Sequence, residues 1–215
     1  MIPEETIDLE SLNTEKEEPA INHQLEETVQ SENEIEVIRS RNQMIEHPKI
    51  QSLLEELRNW PGLVLNSHKS AKQPFHKLSF IADLGLKRDD QPINEIIDKI
   101  FEHKSAEGPF QLPTKVSKSY GGSGDTEWAW ALCDAPTTIY SMAKFGLSKD
   151  EQIQKAVKYL VELVRENGWP CAVSKELGKF RGPGRKDDPC PYATFSMIKM
   201  LSQFDKWKDS KEVHT

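Results

Sequence analysis

The amino-acid sequence predicts an all-α fold built from helical-hairpin repeats, and two observations carry that expectation. First, GLSKDEQIQKAVKYLVELVRENGWPC (146–171) repeats the order of GLKRDDQPINEIIDKIFEHKSAEGPF (85–110), and HPKIQSLLEELRNWPGL (47–63) is a degraded third copy. Self-similarity at a period of about 60 residues is the mark of a repeat architecture. Second, a different helix pattern lies between these copies, poor in charge and opened by proline. Each unit therefore reads as a buried inner helix followed by an amphipathic outer one.

In chain order, residues 1–45 come first, with 12 Asp or Glu against 3 Lys or Arg, a net charge of −9. The whole chain carries −7, so residues 46–215 carry +2, and the acidity belongs to the leading segment. Low hydropathy and high charge predict that 1–45 is a mostly disordered acidic tail, with a short helix around Glu34–Met44. The repeat domain is expected over 46–215.

The outer helices follow from apolar spacing. Ile153, Ala156, Val157, Leu160, Leu163 and Val164 fall at i, i+3, i+4, i+7, i+10 and i+11, with Lys155, Lys158, Glu162 and Arg165 opposite. Asp150 and Glu151 sit where carboxylates favour the positive end of the helix dipole, and Gly168 is expected to end the helix as a left-handed cap. Ile93, Ile96, Ile97 and Ile100 make the same stripe in the second copy, and Ile50, Leu53, Leu54 and Leu57 in the first.

The inner helices are APTTIYSMAKFGL (135–147) and CPYATFSMIKMLS (190–202), which share Pro-x-x-x-aromatic-Ser-Met-x-Lys, with PFHKLSFIADLGL (74–86) as a looser copy. Pro136 and Pro191 suit the first helical position, where the missing amide hydrogen costs nothing. A helix with little charge on any face is normally enclosed by others. At the end of the chain, FDKWKDSKEVHT (204–215) aligns with the start of an outer helix, FGLSKDEQIQKA, so the chain is expected to stop within a further unit, as a truncated product.

The repeat resembles the α/α-toroid superfamily of terpenoid cyclases and protein prenyltransferases, whose units also run GL…D…I.KA..YL… to a Gly-Trp ending. The resemblance covers roughly residues 47–215 and implies an α/α-toroid fold, here an incomplete ring, because six helices and a stub are too few to close one. The same run also resembles an uncharacterised prokaryotic group of prenyltransferase-like proteins, some labelled nitrogen fixation protein. No GxxxxGK[ST] phosphate loop occurs, which excludes the chemistry of a nitrogenase iron protein.

Two loops before inner helices carry the candidate chemistry. YGGSGDTEWAWALCDAP (120–136) and FRGPGRKDDPCP (180–191) each place an aromatic before a Gly-x-Gly, Gly122/Gly124 and Gly182/Gly184, followed by acidic residues. Amides of glycine-rich turns and helix N-termini make anion sites, and Arg181, Arg185 and Lys186 add charge-assisted bonds to a diphosphate. Alternatively, the glycines only turn the chain. GRKDDPCPYATFS also resembles the prenyltransferase segment in which Asp-x-Cys supplies two zinc ligands, which maps onto Asp188 and Cys190. A carboxylate and a thiolate two residues apart can meet one tetrahedral zinc. Pro189 and Pro191 depart from the family pattern, and the family's third ligand, a His in a later inner helix, has no counterpart; His214 lies on the wrong element. Cys133, Asp134 and His76, also near inner-helix starts, are other candidate ligands.

A cyclase needs a protonating aspartate cluster, DxDD or DCTAE, and neither occurs. The acid candidates are Asp187, Asp188 and Asp134, each of which would need burial to raise its pKa. Trp128, Trp130, Tyr140, Tyr192 and Phe195 either line a cavity that stabilises a carbocation or belong to the core. With Tyr120, these readings give a candidate ligand set of Tyr120, Gly122, Gly124, Trp128, Trp130, Arg181, Arg185, Lys186 and Tyr192.

The expected function is a prenyltransferase- or cyclase-like protein that binds an apolar ligand, with or without a diphosphate. If it is an enzyme, it is a transferase or cyclase of isoprenoid-type substrates, with zinc as the one cofactor suggested. The alternative is a non-catalytic helical-repeat scaffold for a protein partner. Strong basic patches are absent, which speaks against nucleic acid. No apolar run reaches the length of a membrane span, and the start lacks a signal peptide. Three cysteines without CxxC spacing are not a disulfide framework and suit a reducing cytoplasm.

Overall fold

The computed structural model describes residues 34–178, 180 and 189–213. The chain divides into two compact units, Met1–Ser52 and Leu53–Thr215. Its helices are α1 (Glu34–Glu46), α2 (Pro48–Arg58), α3 (Pro74–Asp83), α4 (Ile93–Glu102), α5 (Ala135–Met142), α6 (Glu151–Val161) and α7 (Pro191–Leu201). Two strands, β1 (Leu112–Lys115) and β2 (Thr126–Ala129), lie between α4 and α5. Helix α1 covers the short helix expected within the acidic segment; residues 1–33 lie outside the described residues.

The helix pairs follow from the apolar spacing. In α4, Ile93, Ile96, Ile97 and Ile100 are buried, as are Ile153, Ala156, Val157 and Leu160 of α6. Asp150 caps α6 by accepting from the amides of Gln152 (2.9 Å) and Ile153 (3.2 Å), which satisfies two of the four unpaired donors at that end. Helices α3 and α7 open on proline, α5 carries Pro136 as its second residue, and α5 packs against both of the others. Their small and apolar residues allow that enclosure: Met142, Met197, Ile139 and Ala193 are all fully buried. A single π turn, Ala143–Leu147, ends α5, and Gly146 supplies its positive φ of 99°.

The all-α expectation is overturned. Among the described residues, seven α-helices are combined with a two-stranded antiparallel sheet, so the fold is mixed rather than an all-α toroid-type ring. β1 and β2 pair in the register Leu112↔Ala129 to Lys115↔Thr126. Leu65 runs parallel to β1 on its other side, donating to the Pro113 carbonyl and accepting from the Lys115 amide. Ala131 bridges to Val173, and Pro170 to Pro189, both antiparallel. The physical reason is that chain passing from outer to inner helix is partly buried, and its backbone groups need partners. Helical spacing does not reveal such segments, and strands of four residues, one containing Pro113, give almost no alternation to read.

These connections recur as well. Val116-Ser117-Lys118 leads through a 3-10 turn to Gly121, and Val173-Ser174-Lys175 leads through another to Gly178. The repeating unit is therefore a helix pair with a strand-and-turn insertion.

Two further expectations change. Helix α6 ends at Val161, and Gly168 instead closes a tight turn in which Arg165 and Gly168 exchange backbone hydrogen bonds. At φ 121°, Gly168 leaves no room for a side chain, because a Cβ would stand 2.7 Å from Oγ1 of Thr194. Residues 204–213 form turns rather than the start of an outer helix.

Candidate functional site

A cavity of about 520 Å³ opens where the inner helices α5 and α7 begin. Three stretches of chain enclose it. The segment 65–69 follows α2, the segment 114–120 links β1 to its turn, and residues 171–177 with Phe180 lie between α6 and α7. Leu65, Thr114, Cys133, Asp134 and Leu177 are its buried lining residues, while Lys69, Lys115 and Tyr120 stand exposed at the rim.

Asp134 is the N-cap of α5 and is 1% exposed. Its Oδ1 accepts from the amide of Ala131 at 3.1 Å. Burial disfavours the charged carboxylate more than the backbone amides of Ala131 and Ala135 favour it, so its pKa is pushed up to about 7. Cys133 is raised well above the ordinary thiol range by its hydrogen bond with Cys171, then by burial, then by the charge of Asp134. Tyr192, at the start of α7, is raised by burial and by the neighbouring Cys133 and Asp134. His68 packs against Tyr192 with ring centroids 5.0 Å apart, and burial lowers its pKa, helped by the charges of Lys69 and His76. Aromatic and aliphatic walls thus surround one acid poised near neutrality, with cations at the mouth.

The structure brings together some of the residues expected from sequence. Tyr120, Asp134, Tyr192 and Cys190 line one cavity, with Cys133 beside them. Gly122 and Gly124 do not line it. The Gly122 amide donates to Ser117 and the Gly124 amide to Val116, and a Cβ on Gly122 would fall 2.3 Å from the Val116 carbonyl oxygen. Both amides therefore hold the turn itself. Trp128 stacks on His103 with centroids 3.4 Å apart, and Trp130 is buried edge-on against Tyr159; neither reaches the cavity. Tyr140 belongs to contacts among the inner helices. His76 hydrogen-bonds the carbonyl of His68 at 2.7 Å and lies outside the lining. Arg181, Arg185, Lys186, Asp187 and Asp188 lie outside the described residues, as does His214.

Zinc finds no set of ligands among the described residues. Among the described residues, no three His, Cys, Asp or Glu side chains are placed to share a metal ion. Cys190, at the N-cap of α7, is half-buried in the cavity wall, and Asp188 lies outside the described residues.

Sequence reasoning missed His68, Lys69, Lys115, Cys171 and Leu177. The recurring Val-Ser-Lys-x-x-Gly was the available signal, because both copies flank the cavity. No protein-family model and no curated protein matches this chain. No helix among the described residues is long and apolar enough to cross a membrane.

Proposed function

We propose that this cavity binds an apolar small molecule of isoprenoid type, carrying an anionic head. The observation that supports this most is the combination of largely apolar walls, a buried acid and the rim cations Lys69 and Lys115. Small-molecule sites typically join apolar walls to a few placed polar groups. The isoprenoid class comes from the likeness of the repeats to terpenoid cyclases and protein prenyltransferases. Asp134 is the group at which a proton would move, since a pKa near the working pH suits a general acid. The three unbridged cysteines favour a cytoplasmic location.

Thermal unfolding in the presence of polyprenyl diphosphates of several chain lengths tests this reading. Saturation at 100 times Kd adds about 2.7 kcal/mol, which for a chain of this size raises Tm by about 5–10 °C. Lys69→Ala with Lys115→Ala should weaken the response to diphosphates and leave that to the corresponding alcohols. An unchanged Tm with every chain length removes the proposal.

A second reading, a scaffold for a protein partner, has one observation in its favour. Phe80 of α3 and Phe195 and Ile198 of α7 are exposed. It requires a partner that co-purifies reproducibly and is lost on Phe195→Ser.

A further inference from the structure

Three cysteines far apart in sequence line the same cavity, and two of them lie just beyond one backbone bridge. Ala131 and Val173 form an antiparallel bridge in which Ser174 donates to the Trp130 carbonyl and Leu132 donates to the Ala172 carbonyl, both at 2.9 Å. Those flanking bonds make Ala131 and Val173 a non-hydrogen-bonded pair. The ladder stops at that bridge: the Asp134 amide turns back to the Ala131 carbonyl and the Ala172 amide to the Pro170 carbonyl, so Cys133 lies in a turn and Cys171 in a loop just beyond the bridged pair. Both cysteines line the cavity together with the bridged Ala131 and Val173. The two thiols are already hydrogen-bonded to each other. Cys190 approaches from the other side, its amide donating to the Trp169 carbonyl at 2.7 Å.

We propose that Cys133 and Cys171 are a redox modification site, a dithiol in the cavity wall that closes to a disulfide on exchange with a low-molecular-weight disulfide. Cys171 is half-buried and Cys133 is 6% exposed, so Cys171 takes the first step. Its thiolate attacks one sulfur of the small disulfide, forming a mixed disulfide and expelling one small thiolate. The sulfur of Cys133 then attacks that of Cys171, the protein disulfide forms, and the second small thiolate leaves with the proton Cys133 gives up. Two protein thiols are oxidised and one small disulfide is reduced to two thiols. Cys190 keeps its thiol, because Cys133 is hydrogen-bonded to Cys171 and meets Cys190 only through charge.

The test uses the full chain in oxidised glutathione, with thiol counting and peptide mapping of the unreduced digest. The expected result is a fall from three free thiols to one, a protein lighter by two hydrogens, and a peptide joining Cys133 to Cys171. Cys190→Ser should form the same link, and Cys171→Ser should form none involving Cys133. A link from Cys190 to either other cysteine overturns the proposal. So does glutathione retained on Cys171, or three thiols surviving in a protein that unfolding in urea shows to be oxidisable. No ligand enters the experiment, so its outcome is independent of the isoprenoid reading.

Discussion

At Asp134, burial and backbone hydrogen bonding act in opposite directions. The side chain accepts from the Ala131 amide, upstream of the helix, yet its enclosure lifts the pKa from 3.8 to about 7. The folded state therefore holds more protons than the unfolded chain between those two values. Stability contributed by this group is full at acid pH and is lost as pH rises through the folded pKa. Asp134→Asn keeps an acceptor oxygen for Ala131 and removes the titration. The variant should accordingly gain on the parent between pH 5 and pH 8, by at most about 3 kcal/mol, read from urea midpoints at the two pH values. A difference between parent and variant that does not change with pH would show that Asp134 titrates as an ordinary surface carboxylate. The sequence shows Asp134 as a helix start, but its burial depends on segments 65–69 and 171–177, far away in the chain, and no local pattern carries that information.

Between elements, one polar cluster ties the three inner helices together away from the cavity. Lys199 of α7 donates to Asp83 (3.1 Å) and Ser79 (3.3 Å) of α3 and sits 4.2 Å from the ring centroid of Tyr140 on α5. The Tyr140 hydroxyl donates to the other oxygen of Asp83, and burial together with that carboxylate raises its pKa. The side chains of Lys199 and Asp83 are more than a third exposed, so solvent screens the ion pair. Even so, three helices share the cluster, and a double-mutant cycle of Lys199→Met and Asp83→Asn should return a coupling of about 0.5–1 kcal/mol. Additive effects would mean that the helices are held by apolar packing alone. The helices themselves were legible from proline starts and stripes such as Ile93-Ile96-Ile97-Ile100. Which aromatic and which lysine would meet was not: Tyr140 and Phe195 occupy matching positions in the repeat, yet one is enclosed by its neighbours and the other is exposed.

Across the unit Leu53–Thr215, successive repeats are joined twice, and this governs how it unfolds. Inner helices pack side by side, α3 on α5 and α5 on α7. The connections are stitched by strand-type bonds, Leu65 to Thr114 and Ala131 to Val173. An array held only by nearest-neighbour helix packing can lose terminal repeats first, whereas these bonds and the shared cavity wall make each repeat depend on the next. Period and helix spacing made the array visible in sequence. The stitching was not visible, because bridges of one residue leave no periodic trace, and it is what converts the expected all-α array into a mixed fold. Buried tryptophans report on this coupling from separate repeats: Trp60 follows α2, Trp130 precedes α5, and Trp169 follows α6 with its indole N–H on the Leu160 carbonyl. Tryptophan emission and far-ultraviolet circular dichroism should therefore follow superimposable urea transitions, the mark of two-state unfolding. If the repeats are independent instead, emission will change in separate steps, and replacing Trp60 by Phe will delete one step and leave the rest in place. In the coupled case the same replacement moves the midpoint of the whole transition, because loss of packing in the first repeat is felt by all of them.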